Sequence, residues 1–134
     1  MKRSPITEKL AQFISRIDPS KLPMELIDYT KLLIFDGVGT LAAASHPTVT
    51  SGAAIGAFAE SQGGPNQASL IGRGSKVGVV NAALANGTLG YACDFEPHHP
   101  EAILHPIAVM IPTALALSEA RDRRGIDFVT AGHL

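Results

Sequence analysis

Two segments of this chain are apolar or small-residued all the way round. They are Val77-Gly-Val-Val-Asn-Ala-Ala-Leu-Ala-Asn-Gly-Thr-Leu89 and Ile107-Ala-Val-Met-Ile-Pro-Thr-Ala-Leu-Ala-Leu117. A helix without a polar face must be covered on every side. Both segments therefore belong at the centre of a helical assembly, and the rest of the chain has to surround them. Only 134 residues are available, of which 17% are charged and 46% hydrophobic. A domain of this size has much surface for its volume and needs polar residues to dress it. The sequence thus predicts apolar surface that lies against another chain or against sequence not present here.

Six helices are expected, forming an all-α fold with one glycine-rich loop. Ser4-Pro5 reads as an N-cap with proline at the first helical position. That helix runs to about Ile17, with Ile6, Leu10, Phe13, Ile14 and Ile17 on one face. Pro23 restarts a long helix to about Ala44, striped by Leu26, Tyr29, Leu33, Gly37 and Leu41. Gly37 and Gly39 lower helix propensity there, and close approach of a neighbouring helix is the compensation expected. Pro47 opens a third helix ending near Gly63-Gly64. Ala68–Ile71 is a short extended piece. Ser75 is the expected N-cap of a fourth helix, Lys76 to about Ala92. A fifth runs from His105-Pro106 to about Arg123, and a sixth starts at Ile126.

Chemistry concentrates between the two apolar helices. Tyr91-Ala-Cys-Asp-Phe-Glu-Pro-His-His-Pro-Glu-Ala-Ile-Leu-His-Pro106 holds three of the five histidines of the chain. Histidine titrates near neutral pH, and a carboxylate beside it is the usual material of proton transfer. Asp94 and His105 are the candidate catalytic residues, and His98 and His99 are candidate substrate contacts. Helix capping by Asp94 and a structural His105 before Pro106 are the plainer alternative. So are solvated loop positions for His98 and His99. A metal site built from His98 or His99, His105 and Asp94 or Glu96 is a further alternative, although the spacing fits no standard signature. Gly72-Arg-Gly-Ser-Lys76 pairs two glycines and two cations at an expected helix start, so Arg73 and Lys76 are candidate anion contacts. The same segment also reads as a turn with solvated cations. Cys93 has no neighbouring cation and is expected to be packed.

A net charge of −1 gives no electrostatic case for nucleic acid or an anionic membrane. Ala102–Ser118 is interrupted by His105, Pro106 and Pro112, which favours a core helix over a membrane span. One cysteine and no recognisable targeting segment fit a cytoplasmic, reducing compartment.

Four segments in this order resemble the MmgE/PrpD family, which includes 2-methylcitrate dehydratases, cis-aconitate decarboxylases and iminodisuccinate epimerases. They are Leu33-Ile-Phe-Asp-Gly-Val-Gly-Thr-Leu-Ala42; Leu70–Lys76 with Asn81–Gly87; Asp94–His99 with His105-Pro106; and Pro112–Glu119 with Gly125–Ala131. The block from Asn86-Gly87 to His105-Pro106 is the specific part. The resemblance implies that residues 1–134 are the N-terminal part of a helical domain, with the family's second, α+β domain absent. It implies an active site between the two domains and no metal or organic cofactor. It implies a cofactor-independent lyase or isomerase, 2-methylcitrate dehydratase-like, acting on small di- or tricarboxylates by proton transfer next to a carboxylate. The expected partners are that substrate and a second copy in a homodimer, or a chain supplying the missing domain. The chain departs from the family in having Tyr91 in place of a histidine, and Glu96-Pro97-His98 in place of Asp-Asp-Thr. The alternative function is a catalytically inactive, truncated helical module that assembles with itself or with a partner chain.

Overall fold

The computed structural model describes residues 5–133. The expected cap at Ser4 and the end of the chain at Leu134 lie outside them. The six helices are α1 (Pro5–Ser15), α2 (Met24–Ala44), α3 (Thr50–Ser61), α4 (Val79–Ala92), α5 (Ile107–Ala120) and α6 (Gly125–His133). A short 3-10 turn, Pro19–Lys21, joins α1 to α2, with the Asp18 carboxylate accepting from the Ser20 N–H at 3.0 Å. A two-stranded hairpin, β1 (Ala68–Ser69) and β2 (Lys76–Val77), is antiparallel in the register Ala68↔Val77. The fold is all-α, as the sequence indicates.

Helices α4 and α5 pack side by side at the centre. Small residues permit it: a Cβ on Gly90 would come within 3.0 Å of the Ala108 Cα. Gly37 does the same for α2, because a Cβ there would meet Ile111 and Ile107 of α5. Gly39 has nothing within 4 Å, so of the two glycines only Gly37 serves close packing. The buried cluster of Ala59, Leu70, Val77, Ala82, Ala85 and Ala116 ties α3, the hairpin, α4 and α5 together. Leu41, Ala44 and Leu89 form a second cluster between α2 and α4.

Three local expectations change. Helix α3 starts at Thr50, because His46–Val49 forms a turn in which the Val49 N–H donates to the His46 carbonyl. Pro47 lies inside that turn. Helix α4 starts at Val79 behind Gly78, because Lys76 and Val77 are engaged with β1. Ser75 caps no helix; its hydroxyl donates to Glu60 Oε1 at 2.6 Å. Helix α5 ends at Ala120, where Asp122 turns left-handed at φ 48°.

The hairpin is pinned by buried polar groups that bridge distant parts of the chain. Asn86, 1% exposed, accepts from the Ile71 N–H at 3.0 Å and donates to the Ser69 carbonyl at 2.9 Å. Glu119 accepts from both the Ser69 N–H and the Ser69 hydroxyl. Buried donors and acceptors are satisfied in this way as a rule.

The all-round burial expected for α4 and α5 is incomplete. Val80, Leu84, Tyr91 and Val109 are half or more exposed on one side of the pair. The apolar stripe of α1 (Ile6, Leu10, Phe13, Ile14) is exposed as well, and none of its residues is buried. Cys93 is exposed rather than packed. Among the described residues no helix is long and apolar enough to cross a membrane.

Candidate functional site

The loop from Cys93 to Pro106 leaves the end of α4 and returns to the start of α5. Two left-handed residues shape it, Asp94 at φ 49° and Ile103 at φ 51°. Neither is glycine, and such a conformation is unusual for a branched residue like Ile103. The loop closes on itself through a bridge in which the His99 N–H donates to the Leu104 carbonyl at 2.9 Å. The Ala102 N–H donates to His99 Nδ1 at 3.2 Å, so the His99 ring supports its own turn.

This loop carries Glu96 inward and His105 above it. The Glu96 side chain is 1% exposed, and its Oε1 faces His105 Nδ1 at 3.4 Å. Among the described residues neither Glu96 oxygen nor His105 Nδ1 has a hydrogen-bond partner. Burial pushes the Glu96 carboxyl above the ordinary carboxylate range. The Ala108 N–H in the first turn of α5, near the carboxylate though short of hydrogen-bonding geometry, and the charge of His105 oppose that shift, and the charge of Asp94 adds to it. The Tyr91 ring meets the His105 ring edge-on at 5.8 Å and 87°. The His98 ring lies 5.9 Å from it, tilted by 34°.

Tyr91, Glu96 and His105 stand at one wall of an open cavity of about 550 Å³ between α4 and α5, and His98, beside His105, lies outside its lining. Thr88 and Tyr91 reach it from α4, Thr113 from α5, and Glu96 and His105 from the loop. Leu84, Gly87, Ala108 and Val109 make the rest of the wall apolar. Pro112 has no N–H, which frees the Ala108 carbonyl from its usual helical partner. That carbonyl lies against Gly87, where a Cβ would sit 3.3 Å away. An apolar cleft holding a few converging polar groups and a perturbed carboxyl is the usual form of a small-molecule site.

The candidates from the sequence separate here. His105 and His98 are brought together. His99 is in the same loop but is used within its turn. Asp94 is exposed, and the carboxylate that faces the imidazole is Glu96 instead. Arg73 lies in the hairpin turn and Lys76 opens β2, so neither is at a helix N-terminus, because α4 starts only at Val79. Each faces a carboxylate of the chain. Arg73 donates to Glu60 at 2.7 Å, and Lys76 Nζ lies 3.9 Å from Glu119. The Arg73 guanidinium and the Ser75 hydroxyl hold the Glu60 carboxyl down to about 2. Neither cation lines the cavity. Among the described residues no three His, Cys, Asp or Glu side chains converge as metal ligands.

Sequence reasoning passed over Thr88 and Thr113 and considered Glu96 only as a possible ligand of a metal site. Thr88 and Tyr91 are three apart on a helix and share a face, which was a readable signal. The burial of Glu96 comes from the loop path and has no local signature.

Residues 8–133 match the family described as the MmgE/PrpD N-terminal domain. The cis-aconitate decarboxylase-like protein oryM of Aspergillus oryzae is 26% identical over 133 residues, covering 94% of this chain and 27% of that protein. A cis-aconitate decarboxylase of Aspergillus terreus is 26% identical over 123 residues, covering 92% of this chain and 25% of its own length. The chain thus spans about a quarter of the relatives it matches. No solved structure matches it.

Proposed function

The chain belongs to the MmgE/PrpD family through its N-terminal domain, and from that premise we propose that it forms one side of the active site of a lyase or isomerase for small di- or tricarboxylates. The observation that carries this reading is the His105 imidazole, 38% exposed at the wall of a 550 Å³ cavity that is otherwise mostly apolar. The resemblance of the chain to proteins named as cis-aconitate decarboxylases supports the substrate class.

The chemistry is proton transfer at a carbon next to a carboxylate. His105 Nε2 takes the proton, and the electron pair of the C–H bond moves toward the carboxylate as an enediolate. In a dehydration the hydroxyl on the neighbouring carbon then leaves as water with a proton from an acid. In an epimerisation a proton returns to the opposite face. A decarboxylation runs without that abstraction: the C–C bond to the departing carboxylate breaks, its electron pair stays on the carbon skeleton as carbon dioxide leaves, and His105, entering the step as the imidazolium, gives its proton to that carbon. Decarboxylation of cis-aconitate is the first activity to assay, given the relatives, and dehydration of 2-methylcitrate the second. In this reading Thr88 and Tyr91 of the cavity wall, with His98 beside His105, hold the substrate. The remaining groups come from a second domain or a partner subunit closing the open side of the cavity, in a dimer or larger assembly.

The test uses the intact protein with cis-aconitate, 2-methylcitrate and related acids. His105→Asn is expected to lower kcat by roughly 10²- to 10⁴-fold, the usual worth of a positioned acid–base group. Activity within twofold of the wild type would sink the reading. The second reading, a non-catalytic helical module, draws on the exposed apolar residues of α1 and the α4–α5 face. It predicts no turnover of any of these acids, and an assembly lost when Val80 and Leu84 are made polar.

A further inference from the structure

Glu96 is the one buried carboxylate of the site, and three atoms around it are left without hydrogen bonds: its own two oxygens and His105 Nδ1. A buried polar atom without a partner costs stability, and native structures rarely keep one without a use. The local geometry suggests the use. Asp94, held left-handed with its N–H donating to the Tyr91 carbonyl, turns the chain so that Glu96 enters beneath the first turn of α5. The His99–Leu104 bridge then folds the loop back and sets His105 over the carboxylate. The groups facing the imidazole are Glu96 and His98 of the loop and Tyr91 of α4; Asp94 and the Ala108 N–H act on Glu96. His105 Nδ1 is buried while 38% of the side chain stays open, which leaves Nε2 as the nitrogen available to the cavity.

We infer that Glu96 is the positioning residue of this site. It faces Nδ1 of His105, commits that nitrogen to a proton, and so presents the reactive lone pair at Nε2. The role rests on the reading of His105 as the proton carrier. When Nε2 takes a proton from substrate, the ring becomes an imidazolium whose Nδ1–H points at the Glu96 carboxylate, and the new positive charge is met without any group having to move. Asp94, the candidate carboxylate of the sequence, contributes through the left-handed turn of its backbone and through its charge on Glu96.

The experiment is nitrogen-resolved NMR of the His105 ring in the intact protein, together with steady-state kinetics. In the wild type the neutral ring is expected to carry its proton on Nδ1. In Glu96→Gln, which keeps the shape, the amide can also donate to Nδ1, so the ring should populate both tautomers. With it, kcat should fall about 10- to 100-fold, a part of what an acid–base group supplies, while KM stays within about threefold. Glu96→Asp, one methylene shorter, should fall between the two. If Glu96→Ala does not fold, the isosteric Gln variant carries the test. An unchanged tautomer in Glu96→Gln overturns the inference. The ring signals need no turnover, so a failed lyase reading, seen as an active His105→Asn enzyme, is separable from a failed positioning role.

Discussion

Two charged loops flank α4, and they are built oppositely. In the hairpin before it, each of the two cations has an anion: Arg73 meets Glu60 at 2.7 Å, and Lys76 lies near Glu119. Ser75, Ser69 and Asn86 complete the satisfaction with hydrogen bonds. In the loop after it, Glu96 and His105 face each other 3.4 Å apart with no hydrogen bond, in a buried place. The first loop resembles a structural clasp, and the second holds its polar groups for something else. Sequence alone ranks the two alike, since both mix charge, glycine or proline, and a helix end. Satisfaction of the buried polar groups is what separates them.

The sharpest test of that separation is a pair of variants in the intact protein. His105→Asn should remove most turnover, by the 10²- to 10⁴-fold stated above, whereas Arg73→Ala should leave kcat and KM within about twofold. A loss in Arg73→Ala comparable to that in His105→Asn would mean that the hairpin turn reaches the substrate, and the comparison would collapse.

What the sequence reveals follows the range of the interactions. Helices α1 and α2 are readable because apolar periodicity is local, α4 and α5 because their runs are apolar or small throughout, and the family resemblance places the histidine loop between α4 and α5. The partner strand of the hairpin is not readable. Ser75-Lys76 looks like a helix start, and the two-residue strands exist because Asn86 and Glu119 hold them from 17 and 50 residues away. The same holds in the site. Asp94 is the residue that resembles the family, yet its left-handed backbone turns the chain so that Glu96 goes under the imidazole. The openness of the α4–α5 face agrees with the excess of apolar residues in the composition, which points to cover from outside this stretch of chain.

The clasp can be broken with a neutral change. Asn86→Ala orphans the Ile71 N–H and the Ser69 carbonyl, both part of the hairpin attachment. Leaving such groups unsatisfied costs about 1–3 kcal/mol, read as a lower midpoint in urea unfolding. A midpoint equal to the wild type would show that water replaces the amide and that the hairpin is held by Glu119 and packing alone.

Glu96→Gln should move stability the other way. A carboxyl whose folded pKa is raised favours the folded state only while protonated, and that contribution is lost as pH rises through the raised value. Where Glu96 is ionised its desolvated charge weakens the fold, so the neutral amide should melt at a higher temperature than the wild type at pH 7 while turning over more slowly. The advantage should shrink as the pH is lowered and Glu96 itself takes up a proton. Melting curves at pH 7 and pH 4 read both points. A lower melting temperature at pH 7 would show that the attraction to His105 outweighs burial, contrary to the order of causes given above.

The smallest expected effect belongs to Glu60, and its sign is the reverse. Its carboxyl is held down to about 2 from the ordinary 4.5, first by Arg73 and then by Ser75. A depressed pKa favours the folded state fully above the ordinary value and loses that contribution as pH falls toward the folded one. Glu60→Gln should therefore be slightly less stable than the wild type near neutrality and converge with it between about pH 4.5 and 2. The pair is open to solvent, so screening keeps the difference small, and it should fade further in high salt. The two glutamates thus tilt the acid stability profile in opposite directions, Glu60 because its charge is matched and Glu96 because its charge is buried. Superimposable profiles for Glu60→Gln and Glu96→Gln would show that the two loops are alike after all.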